Sequence, residues 1–314
     1  MRTHQRALPP GLLTGGAVCF TVFAWASAFV SIRSAGSAYS PGALALGRLL
    51  AASLTLVTLL LLRREGLPPR AAWRGILLSG LVWFGGYTVA LNWGERLVDA
   101  GTASLLVNTG PILMALLAAR LLGEALPPRL LTGMAVSFVG AVVVGLSMSS
   151  GGDGSTSLLG VALCLLAAVA YATGVVAQKP ALSSGTPLQV TTYSCLTGAA
   201  ACLPFTGQLV AEIPRAPLPA TLNMVYLGVV PTALAFTTWT YALARMPAGK
   251  LGATTYAVPA IVVALSWILL GEVPAWLTLL GGLLCLAGVA VSRYRPRALG
   301  RRGALSASGT RRAG

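Results

Sequence analysis

Two stretches of the chain carry one text. Residues 111–124 read PILMALLAARLLGE and residues 259–272 read PAIVVALSWILLGE, at an offset of 148. Ala100-Gly101 aligns with Ala248-Gly249, Gly133 with Gly281 and Gly140 with Gly288 at that same offset, without a gap. A gap-free series of this length is an internal duplication, so the fold must be assembled from two copies of one unit.

The copies are too apolar for a water-facing surface. The 314 residues are 56% hydrophobic and 9% charged, where a soluble domain carries about 25% charged residues. An all-α integral membrane protein follows. The formal net charge of +15 does not imply nucleic acid, because the basic residues cluster in short loops and a tail, where helix flanks on the cytoplasmic side carry them. Cys19, Cys164, Cys195, Cys202 and Cys285 lie in apolar segments without a close Cys-x-x-Cys pair, and His4 is the one histidine. The five thiols read as small buried hydrophobes; neither a metal site nor a cofactor is expected.

A membrane-spanning helix needs about 20 mostly apolar residues. Ten segments meet or approach this: 11–30, 41–62, 73–93, 100–120, 129–148, 158–178, 188–210, 220–243, 249–270 and 275–292. Turn residues punctuate them, as at Ser40-Pro41-Gly42, Pro127-Pro128 and Gly185-Thr186-Pro187. The expected organisation is a cytoplasmic tail 1–10, a first five-helix repeat 11–148, a linker 149–157, a second repeat 158–292 and a basic, disordered tail 293–314. The first segment has a basic start and an Ala26-Ser27-Ala28 site like that of a signal peptide. It also aligns with residues 171–187 at an offset of 146, so it is expected to be retained.

Starting from the cytoplasm, ten crossings put eighteen Lys and Arg residues inside and three (Arg33, Arg96 and Arg215) outside. Both termini are then cytoplasmic. Five helices per repeat is an odd number, so the second repeat enters the membrane inverted. Inverted repeats are a construction of secondary transporters, with the substrate near the midplane between them.

Several residues stand out against this frame. Pro111 and Pro259 break backbone hydrogen bonding inside apolar segments and read as hinges or kinks. Ser104, Asn108 and Pro111 share one helical face, as do Gly252, Tyr256 and Pro259 in the second copy. Ser104, Asn108 and Tyr256 are therefore cavity candidates. Arg48 is the one Lys or Arg well inside a segment, at a cost of about 2.5–3.5 kcal/mol at the bilayer centre. It either lines the cavity, where it can pair with a substrate carboxylate, or snorkels outward. Trp25, Tyr171 and Trp239 lie deep enough to line a chamber. Trp73, Trp93, Tyr241 and Trp276 suit the interfacial belt. Gly123-Glu124 and Gly271-Glu272 close helices at opposite membrane faces and read as structural helix ends. Gly133, Gly140, Gly281, Gly282 and Gly288 allow close helix approach, as a homodimer face or within the chain.

With these residues in place, the two halves resemble the paired EamA domains of the drug/metabolite transporter superfamily. Trp25-Ala-Ser-Ala-Phe, Pro41, Arg48 and the paired Pro-to-Leu-Gly-Glu blocks carry the likeness over residues 11 to 292. Two positions depart: Ala26 stands where the family commonly has glycine, and Ser194 stands opposite Arg48. The resemblance implies a multi-pass protein of the cell membrane that exports small metabolites, amino acids or drugs, with the proton as coupling ion. Import remains an alternative, since the architecture works in both directions. A lipid-modifying membrane enzyme is a weaker one, because the segments hold no acidic cluster and no histidine.

Overall fold

The computed structural model describes residues 10–98, 103, 106–149, 157–270 and 275–293. Ala100-Gly101, Ser104, Gly271 and Glu272, with most of the expected linker and tails, lie outside these residues. The described residues form helices and turns, with no strands. In chain order the helices are α1 (Pro10–Gly36), α2 (Pro41–Leu62), α3 (Arg70–Leu97), α4 (Gly110–Leu122), α5 (Pro128–Ser149), α6 (Leu158–Ala181) and α7 (Pro187–Ala201). They continue with α8 (Thr206–Glu212), α9 (Leu218–Leu243), α10 (Ala248–Gly252), α11 (Ala257–Leu270) and α12 (Trp276–Arg293).

Six of them are long and apolar enough to cross a membrane. The number is seven if α7 and the segment Leu203–Arg215, bent by 51° against it, are one crossing. Large apolar side chains such as Leu54, Leu61, Leu62, Leu158 and Leu218 point outward, which suits lipid rather than water. Two of the ten expected segments are broken by their own sequence. Turn residues Asn108-Thr109 precede α4, and a 3₁₀ stretch, Ala253–Tyr256, precedes α11. The breaks fall at equivalent places in the duplication. Pro111 thus sits in the first turn of α4, where its missing N–H costs nothing. Pro259 is the third residue of α11.

Local chemistry explains the other boundaries. Pro41 and Pro187 open α2 and α7, and Thr186 and Gln189 complete a capping box on α7. Gly123 ends α4 with φ +66°, a left-handed cap that glycine adopts without steric cost. That geometry is the reason for glycine in the Leu-Gly-Glu block.

Two features organise the interior. The first is the α5–α12 seam. A Cβ added at Gly133 would lie 2.6 Å from the Gly288 carbonyl, and one at Gly140 would lie 2.6 Å from the Gly281 carbonyl. Between them Ser137 Oγ donates to the Cys285 carbonyl at 3.0 Å, and Cys285 Sγ donates back to the Ser137 carbonyl at 3.4 Å. The pairs run antiparallel. In the 148-residue frame the two glycine contacts are mirror images of each other, and the Ser137–Cys285 pair is its own mirror at the local twofold. The glycine stripes are spent on an intramolecular contact.

The second feature is a pair of π-helical segments, Gly80–Tyr87 within α3 and Gly228–Leu234 within α9, which start 148 residues apart. A π segment holds one residue too many for α geometry and often marks a functional site. Each opens on a glycine packed against the opposite half. A Cβ at Gly80 would meet the Ser194 carbonyl at 2.6 Å, and one at Gly228 would meet the Arg48 carbonyl at 2.6 Å.

Candidate functional site

The π segments and the helices crossing them gather seven aromatic rings at the centre. Trp25 lies 4.8 Å from Trp239, 5.4 Å from Phe236 and 6.5 Å from Trp83, centroid to centroid. Tyr171 lies 5.7 Å from Trp83, 6.1 Å from Tyr87 and 6.4 Å from Trp239. Phe84 closes the group against Phe236 at 4.8 Å. The duplication makes this convergence: Trp25 and Tyr171 are equivalent positions on α1 and α6, and each faces the π segment of the other half.

Polar groups inside the cluster are unequally satisfied. Trp25 Nε1 donates to the Pro231 carbonyl at 3.1 Å. Trp239 is fully buried, and its indole N–H has no hydrogen-bond partner among the described residues. The Tyr171 hydroxyl is buried and equally without one. The Thr255 hydroxyl lies beside it as a weak, long interaction that falls short of hydrogen-bond geometry, and donates its own proton to the Gly252 carbonyl at 2.7 Å. Buried polar atoms are paired in the great majority of cases, so unpaired ones need a reason.

Arg48 adjoins this cluster. It is 7% exposed, and its Nε donates to Thr232 Oγ1 at 2.6 Å. Thr232 in turn donates to the Leu227 carbonyl five residues back, a bond that the π geometry brings into reach. Arg48 and Trp25 therefore dock on neighbouring residues, Thr232 and Pro231. Tyr87 and the Glu95 carboxylate are in electrostatic reach of the guanidinium, though no ion pair to Arg48 occurs among the described residues. A buried charge without a close ion pair is costly. The side chain is packed among the helices rather than extended to an exposed end.

The equivalent position in the second half has another chemistry. Ser194 accepts from Ser79 at 3.0 Å and donates to the Ile76 carbonyl. Gln178, fully buried, reaches Ser79 at 3.5 Å and Thr240 at 3.3 Å, and Thr191 donates to Thr240 at 3.0 Å. This hydroxyl–amide network satisfies itself. One residue further, Lys179 pairs with Glu124 and donates to the Met246 carbonyl at 2.8 Å. Glu124 also accepts from the Gly249 N–H at 3.4 Å.

The structure thus brings Arg48, Trp25, Tyr171 and Trp239 together. Tyr256 is fully buried in a cluster with Ala115, Leu130, Met134, Ala141 and Cys285 beside the seam, within electrostatic reach of Tyr171. Its hydroxyl donates to the Asn108 carbonyl at 3.0 Å. The turn at Asn108 frees that carbonyl, and the equivalent residue of the other copy takes it. Trp83, Phe84, Phe236, Thr232 and Gln178 join the central region without having been singled out in the sequence. The faint signal for Thr232 is its alignment with Phe84 in the 148-residue frame. No group of His, Cys, Asp and Glu suited to a metal occurs among the described residues.

Apolar helices around a buried guanidinium, an aromatic cluster and unpaired donors make a multi-pass membrane transporter, not an enzyme. The sequence profile of the EamA-like transporter family matches residues 13–146 and again 158–294, and the chain belongs to that family. It is 38% identical to a probable terminal-alkyne amino-acid exporter of Streptantibioticus cattleyicolor, over 94% of this chain and 97% of that one. It is 34% identical to the uncharacterized transporter YdfC of Bacillus subtilis, over 84% and 86%. It is 25% identical to a probable amino-acid metabolite efflux pump of Escherichia coli, over 65% and 70%. A crystal structure at 23% identity superposes with a TM-score of 0.73 over 89% of this chain and 96% of the other, so the fold is shared.

Proposed function

We propose that this protein exports a small zwitterionic metabolite of the amino-acid class by alternating access, with Arg48 holding the substrate carboxylate against the central aromatic cluster. The observation that carries this reading is the Arg48 guanidinium, buried beside seven aromatic rings and hydrogen-bonded to Thr232, with Glu95 in electrostatic reach but not ion-paired to it. The names of two relatives, an amino-acid exporter and an amino-acid metabolite efflux pump, support the direction and the class.

In this reading ten helices cross the cell membrane as two inverted repeats, 11–148 and 158–292, with both termini cytoplasmic. The antiparallel, self-mirrored α5–α12 seam supports the inversion, as does the excess of basic residues on one side. Reporter fusions at Ser155 and Gly314 then read outside and inside; an outside C-terminus overturns the arrangement. The driving ion is the proton, as the family resemblance implies. A homodimer would need a face other than the glycine seam.

The test uses inside-out vesicles that accumulate labelled neutral amino acids under a proton gradient, with rates normalised to inserted protein. Arg48→Gln should cut uptake of zwitterions at least tenfold. Uptake unaffected by Arg48→Gln removes the carboxylate from the reading. Activity in right-side-out vesicles alone makes the protein an importer.

A further inference from the structure

The carboxylate receptor accounts for one end of a substrate. Two further groups remain: the Trp239 indole N–H and the Tyr171 hydroxyl, both buried, both without a hydrogen-bond partner among the described residues, on rings 6.4 Å apart. Their neighbours explain why they stay unpaired. Trp25, the ring closest to Trp239, has spent its own N–H on Pro231. Trp83 and Phe236 offer π faces, which are weak acceptors. The Trp239 position is not forced by the duplication, because the equivalent residue is Leu91. A leucine or phenylalanine there would fill apolar space with no orphan donor. An unsatisfied buried donor costs roughly 1–3 kcal/mol when nothing meets it.

We propose that Trp239 Nε1 and Tyr171 Oη are donors to the side chain of the substrate. The preferred substrate is then a compact α-amino acid whose side chain ends in an acceptor, such as a nitrile, a carbonyl, an ether or a carbon–carbon multiple bond, and not a saturated alkyl group. This rests on the reading above, in which Arg48 takes the carboxylate. A site built to hydrogen-bond a group rejects the analogue that lacks it more strongly than an apolar pocket sorts by size. The rings around the two donors present flat π faces, against which flat unsaturated groups stack.

The experiment is competition for counterflow in proteoliposomes by four near-isosteric amino acids: norvaline, allylglycine, propargylglycine and β-cyanoalanine. They differ chiefly in the acceptor strength of the side-chain end. The expected order rises from norvaline to β-cyanoalanine, with about tenfold between the extremes. Tyr171→Phe removes only the hydroxyl, and Trp239→Phe removes the N–H while keeping an aromatic ring. In each variant the ratio of β-cyanoalanine to norvaline should fall toward one. A ratio unchanged in both variants, or a parent that does not distinguish the four, overturns the proposal.

A second measurement separates this from failure of the amino-acid reading. The thermal midpoint of the purified, ligand-free protein should hold or rise in Tyr171→Phe, because deleting an unmet hydroxyl removes a penalty and breaks no bond. A fall of several degrees shows that the protein itself uses the hydroxyl, and it overturns the proposal even if no amino acid is carried. A parent that carries none of the four sinks the amino-acid reading and this proposal with it, whereas a parent that carries all four alike sinks this proposal alone.

Discussion

The α5–α12 seam and the α2–α7 region descend from the same duplication and have treated it oppositely. Along the seam, glycine meets glycine and Ser137 meets Cys285 in reciprocal pairs, so both copies present the same surface. Around α2 and α7 the backbone crossing is equally symmetric, Gly228 on Arg48 and Gly80 on Ser194. The side chains are not: one copy buries a guanidinium on Thr232, the other a self-satisfied network of Ser79, Gln178, Ser194, Thr191 and Thr240. Where two helices must touch, volume decides and both copies obey the same rule. At the proposed site, a twofold pair of identical sites would serve an asymmetric molecule badly, and there the copies have diverged.

The sharpest way to break this comparison is steric. Gly140→Val and Gly288→Val should each abolish correctly folded protein, at or beyond the upper end of the roughly 1–3 kcal/mol that overpacking costs, because the added carbons meet backbone atoms. Fluorescence-detected size exclusion of tagged protein checks this. A large loss at one position with tolerance at the other would show that the seam is not self-mirrored.

The next effect is chemical and one-sided. Arg48→Ala should lower transport per inserted molecule ten- to a hundredfold, the range that losing a charged hydrogen bond of about 1.5–3 kcal/mol predicts. Ser194→Ala should cost less than threefold. Equal losses at the two positions would return the site to symmetry and displace Arg48 from its role.

A smaller effect sits between the regions. Tyr256→Phe loses the bond to the Asn108 carbonyl and should lower stability by about 1 kcal/mol, read as a shift in thermal midpoint with substrate preference unchanged. A changed preference would move Tyr256 from the packing cluster into the site.

The smallest belongs to Lys179 and Glu124, whose side chains are 24% and 12% exposed. Lys179→Met should cost no more than about 1 kcal/mol, the range of partly solvated pairs. The double exchange Lys179→Glu with Glu124→Lys should restore part of it, since the carbonyl of Met246 still lacks its donor. No recovery in the exchange would mean that the Met246 contact, not the ion pair, holds the two ends together.

Much of this architecture could be read before any coordinates. The duplication was legible because proline, glycine and glutamate resist replacement at helix breaks and close contacts, and those residues kept the 148-residue spacing. Arg48 was legible because a charge inside an apolar run is expensive. Trp25, Tyr171 and Trp239 were legible as deep aromatic positions, and they do converge. The π segments were not, since one extra residue in an apolar helix leaves no mark on hydrophobic period. Without them nothing pointed to Thr232 as the partner of Arg48. Trp83 and Phe84 were hidden in an apolar run in which any large side chain reads as packing. The polar stripe that includes Asn108 and Tyr256 placed both residues on one face, but a face does not say which neighbour it meets. Tyr256 meets the seam cluster and the Asn108 backbone.

The self-mirrored seam also sets a schedule for biosynthesis. α5 ends at Ser149 and its partner begins at Trp276, 127 residues later. At roughly 5–20 residues per second, the ribosome needs about 6–25 s to deliver the second helix after the first is complete. For that interval the stripe of Gly133, Ser137 and Gly140 stands in the bilayer without the surface it was shaped to meet. The α5 of a second nascent chain inserts the same way up and would meet it in parallel, so only an α12, its own or a neighbour's, supplies the antiparallel pairs. Crowded synthesis on neighbouring ribosomes should therefore favour exchanged assemblies, and slowing initiation should raise the yield of monomeric protein.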